Sequence, residues 1–536
     1  MVQLDDKTTN AELRQTVISL AHELQQIKAE NQWLKDQVGL AINRAYGASS
    51  QKTPVGQEPL LFNEAEACAA PEAPEPAKET ITYTRRKPGQ RDQLVADLFV
   101  EEIVYDLPEN EQVCPQCSGC LHEMGADVRE EIKFVPATVT LVRHRRIKYA
   151  CRNCQINEIT TPILTAPMPR PAFPKSLASP SAVSYIMYRK FVEGLPLYRQ
   201  EQGLQRQGLN LSRQTMANWM IAGAVWLETI YLRMKYHLLK RDILHADETT
   251  LTVLKEEGRA AQTKSYMWLY RSGRDGPAIV LYEYQPTRAG MHPHAFLNGF
   301  HGFLHVDGYV GYEGLSDVVL CGCLAHARRK FKDAIDLLPK ALRNTCNTPA
   351  HEGLRFCNTL FRNERDLRDV TPEERFAGRN LRSRPMVDKF RAWLDEMSVS
   401  ALPKSPIGEA VTYCVNQWPK LIGFLLDGRL EVDNNRAERA IRPFVVGRKN
   451  WLFANTPRGA RSSATIYSVV ETAKESGLNP LPYLTYLFEQ LPNIDLKDEA
   501  AVDLLLPWSE PVQAKFRVPA KSSPTSNPNS TRRRKR

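Results

Sequence analysis

No stretch of this 536-residue chain approaches the roughly 18 apolar residues that a bilayer-spanning helix needs. The opening MVQLDDKTTN is polar and acidic rather than signal-like. The expectation is therefore a cytoplasmic protein, neither membrane-spanning nor secreted, with no membrane partner. Cysteine is sparse, 11 in all, and apart from two Cys-x-x-Cys pairs it is scattered, which excludes a disulfide framework and fits a reducing compartment. No internal repeat is found, which excludes a solenoid. The hydrophobic share of 42% and charged share of 25% are those of ordinary globular domains. What the chain does carry is length for three or four domains and a formal net charge of +10. That charge suits a polyanion, although solubility alone would also use it.

Residues 1–50 carry Leu13, Val17, Leu20, Leu24, Ile27, Asn31, Leu34 and Val38 on alternating four- and three-residue steps. This is a leucine-zipper-like seam with one polar position, so the pattern predicts a coiled-coil helix and a homodimer or larger assembly. Packing against the rest of the chain is the alternative. Residues 51–92, rich in Ala, Pro and Glu and then basic, read as a flexible linker. In 93–165, Cys114, Cys117, Cys151 and Cys154 form two knuckles able to hold one structural Zn²⁺. Cys120 has knuckle spacing with Cys117 and leaves the ligand set open, and a redox pair is the other reading. Arg143, Arg145, Arg146 and Lys148 give this zinc-finger-like module a basic side.

The stretch 166–240 reads as helical, with a helix-turn-helix pattern around Gly208 and Ser212. Met216, Trp219 and Met220 should face inward. Arg213, Gln214 and Asn218 should face outward, where they could contact double-stranded DNA. A plain helical hairpin fits nearly as well. Strands and turns fill 241–326, helices 327–430, and a polar helix follows near 438. Residues 467–507 read as a closing helical segment. The tail 508–536, ending RRRKR, is expected to be a disordered basic segment.

Three carboxylates stand out. Asp247 lies in the apolar run ILHADETTLTVL, Asp307 in GFLHVDGYVGYEGL and Glu438 in EVDNNRAERAIRP. A carboxylate inside an apolar strand costs several kcal/mol unless its charge is offset. Hard oxygen donors from two strands and a helix suit a pair of Mg²⁺ or Mn²⁺ ions, the arrangement of phosphodiester-processing enzymes. A ribonuclease-H-like sheet would bring such distant positions together. Glu248, Asp317 and Asp433 are the rival ligands, and Asp433 is also the expected cap of the third helix. Arg442 shares the face of Glu438, and Arg448 and Lys449 are further candidates for DNA phosphates.

ADET at Asp247, DGY at Asp307, CLAHARRKF from Cys323 and VDNNRAERAIRPFVVGRKNWLF from Val432 together resemble the insertion sequence sixty-six family of bacterial transposases. LPLYRQEQ at 195–202, the cysteine module and the N-terminal seam extend the resemblance over nearly the whole chain. It implies a multidomain α+β protein with a ribonuclease-H-like DDE catalytic domain over 241–466 and a helical insertion at 327–430. It also implies that Asp247, Asp307 and Glu438 are the catalytic triad. The expected activity is binding of terminal inverted repeats, cleavage at the element ends and joining of the 3′-hydroxyls to target DNA. Element-encoded accessory proteins and a place on the bacterial nucleoid are further implications. Cys323-x-x-His326 resembles a motif found between the second and third carboxylates in several DDE families. A zinc site, a structural histidine and a DNA-contacting histidine are its open readings.

Overall fold

The structure, a computed structural model, describes residues 138–150, 163–344 and 347–519. The coiled-coil seam, the linker, Cys114, Cys117, Cys120, Cys151, Cys154 and the RRRKR terminus lie outside the described residues. Within the 93–165 stretch, β1 (Lys148–Ala150) pairs antiparallel with β2 (Ile163–Thr165).

Three helices follow: α1 (Pro180–Phe191), α2 (Leu197–Arg206) and α3 (Arg213–Leu239). Ser212 starts α3 by accepting the Thr215 amide at 3.1 Å, and Gly208 makes the preceding turn with φ of +85°. Met216, Met220, Gly223, Leu227, Ile230, Met234 and Leu238 recur every three to four residues and form the buried stripe of α3. The glycine at 223 lets α1 approach, because a Cβ there would lie 2.6 Å from the Met187 methyl.

The centre of the fold is a five-stranded sheet. Its strands are β3 (Ile243–Thr252), β4 (Lys264–Ser272), β5 (Val280–Gln285), β6 (Gly302–His305) and β7 (Val318–Cys321). Their order across the sheet is β5-β4-β3-β6-β7, with the first three antiparallel and β6 and β7 parallel to β3. The short helix α4 (Met291–Phe296) lies in the crossover from β5 to β6. Gly302 opens β6 at φ +141°, where a Cβ would stand 2.2 Å from the Asp242 carbonyl. Only glycine allows the close parallel start of that strand.

Among the described residues, six α-helices stand between β7 and the next element of the sheet core. They are α5 (Leu324–Asp336), α6 (Lys340–Arg343), α7 (Pro349–Asp366), α8 (Pro372–Arg382), α9 (Arg384–Ser400) and α10 (Pro406–Leu421). They build a second core around Phe331, Cys357, Phe390, Val411 and Cys414. Arg379 is buried beneath them, paired with Glu364 at 2.5 Å and donating to the carbonyls of Phe424, Asp427 and Leu430. These partners satisfy a charge that would otherwise be prohibitive in that position.

The chain then returns as α11 (Asn435–Trp451), α12 (Pro457–Glu475), α13 (Pro480–Gln490), α14 (Glu499–Asp503) and α15 (Glu510–Phe516). The boundary read at 466/467 falls inside α12, and one hydrophobic core joins Leu227 of α3, Trp268 of the sheet, Val470 of α12 and Leu484 of α13. The stretch read as disordered from 508 is folded over its described residues, through 519. Val512 of α15 is fully buried, and Phe516 packs on Tyr486 at 5.2 Å between ring centroids. Two apolar side chains four residues apart are enough to hold this short, polar-looking segment on the core.

A sheet edge leaves backbone groups unpaired, and α12 caps the β5 edge with two hydroxyls. Thr472 accepts the Val280 amide and donates to the Val280 carbonyl, both at 3.0 Å, and Ser468 accepts the Tyr282 amide at 2.8 Å. Substituting Thr472→Val keeps the shape but leaves both Val280 groups unpaired. It should cost about 1–3 kcal/mol in urea unfolding. An unchanged midpoint would show that the hydroxyl is not the edge cap.

Candidate active site

Strands β3 and β6 pair in parallel with Ile243 opposite Phe303, Leu244 opposite Leu304 and His245 opposite His305. The two imidazoles are fully buried and stack at 4.4 Å between ring centroids, tilted by 13°. Burial holds both well below the usual histidine range, His305 at about 4, so the stack is uncharged near neutral pH. Two residues beyond each histidine stand Asp247 and Asp307. The alternation of a strand puts Asp247 on the face of His245, and Asp307 follows where β6 ends.

Asp307 is held by its turn. Its Oδ1 accepts the Tyr309 amide at 2.9 Å, Gly308 takes φ +110°, and its carbonyl accepts the Tyr413 hydroxyl of α10 at 3.0 Å. Asp247 Oδ1 accepts the Glu248 amide at 2.8 Å. Glu438 sits in the first turn of α11, where the helix N-terminus favours an anion. The residue just before α11 ties that helix to the sheet. Asn434, 1% exposed, pairs with His245 Nδ1 at 2.9 Å, donates through Nδ2 to the Ala246 carbonyl at 2.8 Å and gives its amide to Cys323 Sγ at 3.2 Å.

Asp247, Asp307 and Glu438 line one cavity of about 360 Å³, together with His326, Asn434, Ile441, Arg442 and Val445. The Asp247 carboxyl is pushed up to about 8 by burial and then by the charges of Glu248, Asp307 and Glu438. Glu438 Oε1 is buried without a hydrogen-bond partner; His326 Nε2, whose pKa burial lowers, stands 3.9 Å from it, and the Arg329 guanidinium stands 3.9 Å from Oε2. An acidic set of oxygen donors, under-neutralised and carrying an orphaned oxygen, fits a hard divalent cation. Cys323, His326 and Glu438 also offer ligand atoms within 4.8 Å of one another.

The three rivals point elsewhere. Glu248, next to Asp247 on the strand, faces the opposite side of the sheet and pairs with Arg288 at 2.8 Å and Tyr312 at 2.7 Å. Asp317 lies in the β6–β7 turn at φ +58°, near His301. Asp433 accepts the Asn435 amide at 3.1 Å, so it braces the start of α11 one residue before the Asn434 cap.

Of the basic candidates, Arg442 lines the cavity. Arg448 reaches Thr250 Oγ1 on β3 at 3.2 Å, and Lys449 is exposed on the next residue. Arg213, Gln214 and Asn218 are exposed on the first turns of α3, away from the cavity lining. Gln214 and Asn218 pair with each other at 3.3 Å, while Met216 and Met220 are buried and Trp219 is half-buried. Sequence reasoning missed the histidine stack and the Tyr413 clamp. The signal for the first was present, as Leu-His-x-Asp occurs in both runs.

A model of the transposase IS66 family matches residues 175–462, and so spans all three carboxylates. The chain belongs to the IS66 transposase family. Models of the zinc-finger binding domain of transposase IS66 and of the IS66 C-terminal element match 111–155 and 468–508. The first of these contains all four expected cysteine ligands and supports zinc. Among similar proteins are three uncharacterized proteins of Sinorhizobium fredii (strain NBRC 101917 / NGR234). One, y4jD, is 31% identical over 75% of this chain and 78% of its own length. The others, y4hP and y4qI, are 29% and 31% identical over 80% and 79% of this chain, and 78% of each is covered. These domains mark an insertion-sequence transposase, and the family implies DNA binding and DNA cutting. Among the described residues of this transposase, no helix is long and apolar enough to cross a membrane.

Because Asn434 bonds β3 and α5 at once, its loss should be felt in the fold. Asn434→Ala leaves His245 Nδ1 and the Ala246 carbonyl buried and unpaired, at an expected cost of about 2–4 kcal/mol. Urea unfolding measures this, and a loss below about 0.5 kcal/mol would remove Asn434 as the brace of α11.

Proposed function

We propose that this transposase cuts its element ends and joins them to target DNA with Asp247, Asp307 and Glu438 as the DDE triad. The observation that carries the reading is the convergence of these carboxylates, from β3, the β6 turn and α11, on one cavity. The strand order supports it. Counted from β3, the sheet runs third, second, first, fourth, fifth, with the second strand antiparallel to the rest of its neighbours, as in ribonuclease-H-like folds. Asp247, Asp307 and Glu438 would hold two Mg²⁺ or Mn²⁺ ions. When bound, such a pair supplies Lewis-acid activation of the attacking oxygen and stabilisation of the leaving one.

The protein's own part is placement. The stacked histidines and Asn434 fix the triad in depth, and the Tyr413 hydroxyl holds the Asp307 turn. Arg442, exposed at the cavity mouth, would hold a DNA phosphate at the site, with Arg448 and Lys449 further along the same helix. Water would serve as the first nucleophile, releasing a 3′-hydroxyl that attacks the target phosphodiester in the same cavity. Terminal inverted repeats would be gripped by the zinc module through Cys114, Cys117, Cys151 and Cys154, and by the α2–α3 pair through Arg213, Gln214 and Asn218. Dimerisation through residues 1–50 would bring two ends together, with element-encoded accessory proteins completing the assembly on the nucleoid.

Asp307→Ala should lower Mg²⁺-dependent cleavage of an element-end duplex at least roughly a thousandfold, about 4 kcal/mol of barrier, while end binding by mobility shift persists. Retained cleavage would remove the triad assignment. With pre-cut ends the wild-type protein should join the 3′-hydroxyl to a supercoiled target, and failure of that step alone would make it a nuclease.

A further inference from the structure

The carbonyl of Trp451 accepts the Phe453 amide at 2.8 Å, closing a three-residue turn on Leu452 at φ +66°, ψ −42°. This is a γ-turn of the rare, strained hand. Glycine is the residue that such a backbone favours, yet a leucine stands here. Its side chain does not explain the choice by packing, since Leu452 is 68% exposed and the following Phe453 is 44% exposed. The site therefore bears backbone strain and two exposed large apolar groups, with no return to the fold among the described residues. Strain persists only where the surroundings enforce it.

Here they do so on both flanks. Trp451 is set against Phe191 and Tyr467, with the Lys190 ammonium 4.1 Å from its ring centre. On the other side the Ala454 amide donates to the Thr252 carbonyl at 2.9 Å, and the amides of Leu254 and Lys255, just past β3, donate to the carbonyls of Ala454 and Asn455, each at 3.0 Å. Leu452 and Phe453 are thus presented on a rigid tip between two anchors.

The tip also has a direction. Glu438, Arg442, Val445 and Lys449 follow four- and three-residue steps along one face of α11, and Leu452 stands just past the last residue of that helix. At 1.5 Å per residue Leu452 lies about 21 Å from Glu438 along the helix. That is about six base steps of a duplex laid along the same face. Arg442 and Lys449, both exposed, give the path between them the charge that a phosphate backbone requires.

We propose that Leu452 and Phe453 form an apolar wedge that seats against unstacked bases of the DNA end, about six base steps from the phosphate held at the triad. The inference rests on the transposase reading above and deepens it. Apolar side chains driven between base steps open them at a cost that the bound surface offsets, and an aromatic ring offers a displaced base a stacking partner.

The test uses the full chain and duplexes cut from the end of the element that carries this gene, each with one 2-aminopurine at successive positions around the cleavage point. Binding, followed by anisotropy in the same samples without divalent metal, should raise the fluorescence roughly threefold or more at about six steps from the cut. Leu452→Gly combined with Phe453→Ser should abolish that rise and weaken binding roughly fivefold or more. Leu452→Gly alone should melt at the same temperature as the wild type or higher, because glycine relieves the turn. A lower melting temperature would mean that the leucine serves the fold, and that overturns the wedge. So would tight binding with no rise at any position, a rise that the double variant keeps, or a change of oligomeric state on substitution, which would make the tip a contact between copies. Absence of duplex binding by the wild-type chain would instead sink the transposase-end reading, and the wedge with it.

Discussion

Everything at the candidate site depends on the register in which β6 joins β3. Parallel pairing of His245 with His305 sets two aspartates side by side at the ends of neighbouring strands. A slip of one residue would turn one of them to the opposite face of the sheet. That register has to be strongly enforced, because the pair it creates is repulsive. Asp247 is raised to about 8 by burial and by the acidic groups around it. The enforcement comes from below, where the uncharged histidine stack fills the sheet beneath the carboxylates without adding charge. Gly302 contributes at the strand's start, since no side chain would fit against the Asp242 carbonyl.

The third carboxylate is placed by a different device. A helix can rotate or slide over a sheet, and apolar contacts alone specify that poorly. Asn434 removes the freedom, with its side chain committed to β3 and its amide to Cys323 at the start of α5. Glu438 follows one helical turn later, so its position is inherited from a buried hydrogen-bond junction. The helical block between β7 and α11 takes part in the same way. It has its own core, yet Tyr413 of α10 returns to bind the Asp307 carbonyl. The block is therefore a brace for the second carboxylate as well as an addition to the sheet.

How much of this could be read from the sequence differs by kind of interaction. Asp247 and Asp307 were legible as charges in apolar strands that disfavour them, Glu438 only through the resemblance of its motif, and α3 as a capped helix with Ser212 and a periodic stripe. The mixed helix and strand character of the chain followed from the same patterns. The duplicated Leu-His-x-Asp was visible too, but its meaning depends on a parallel pairing of segments about 60 residues apart in the chain. The hydroxyl caps at Ser468 and Thr472 were invisible. A serine and a threonine four residues apart on a helix look like ordinary polar positions until a strand edge lies against them. The folded end at Val512 and Phe516 was missed because two apolar residues in a Pro- and Ser-rich stretch carry no periodic signal.

The same shared core has a consequence for how DNA binding and cutting are related in this transposase. Separate modules on flexible joints would let the outward face of α3 wander relative to the three carboxylates. Here α1, α3, the sheet, α12 and α13 bury their side chains together, so the outward turns of α3 move with the strands that carry the aspartates. The link to the third carboxylate is equally direct. Asn450 near the end of α11 donates to the Gly194 carbonyl at 2.9 Å, in the bend between α1 and α2. Gly194 takes φ +71°, and a Cβ on it would meet the Asn450 amide nitrogen at 2.8 Å, so the bend and the helix end fit only in this arrangement. One end of α11 is thus fixed to the sheet through Asn434 and the other to the helical pair through Asn450 and Trp451. A helix held at both ends transmits position without a hinge. The distance from the outward turns of α3 to the cavity is then set by the fold itself.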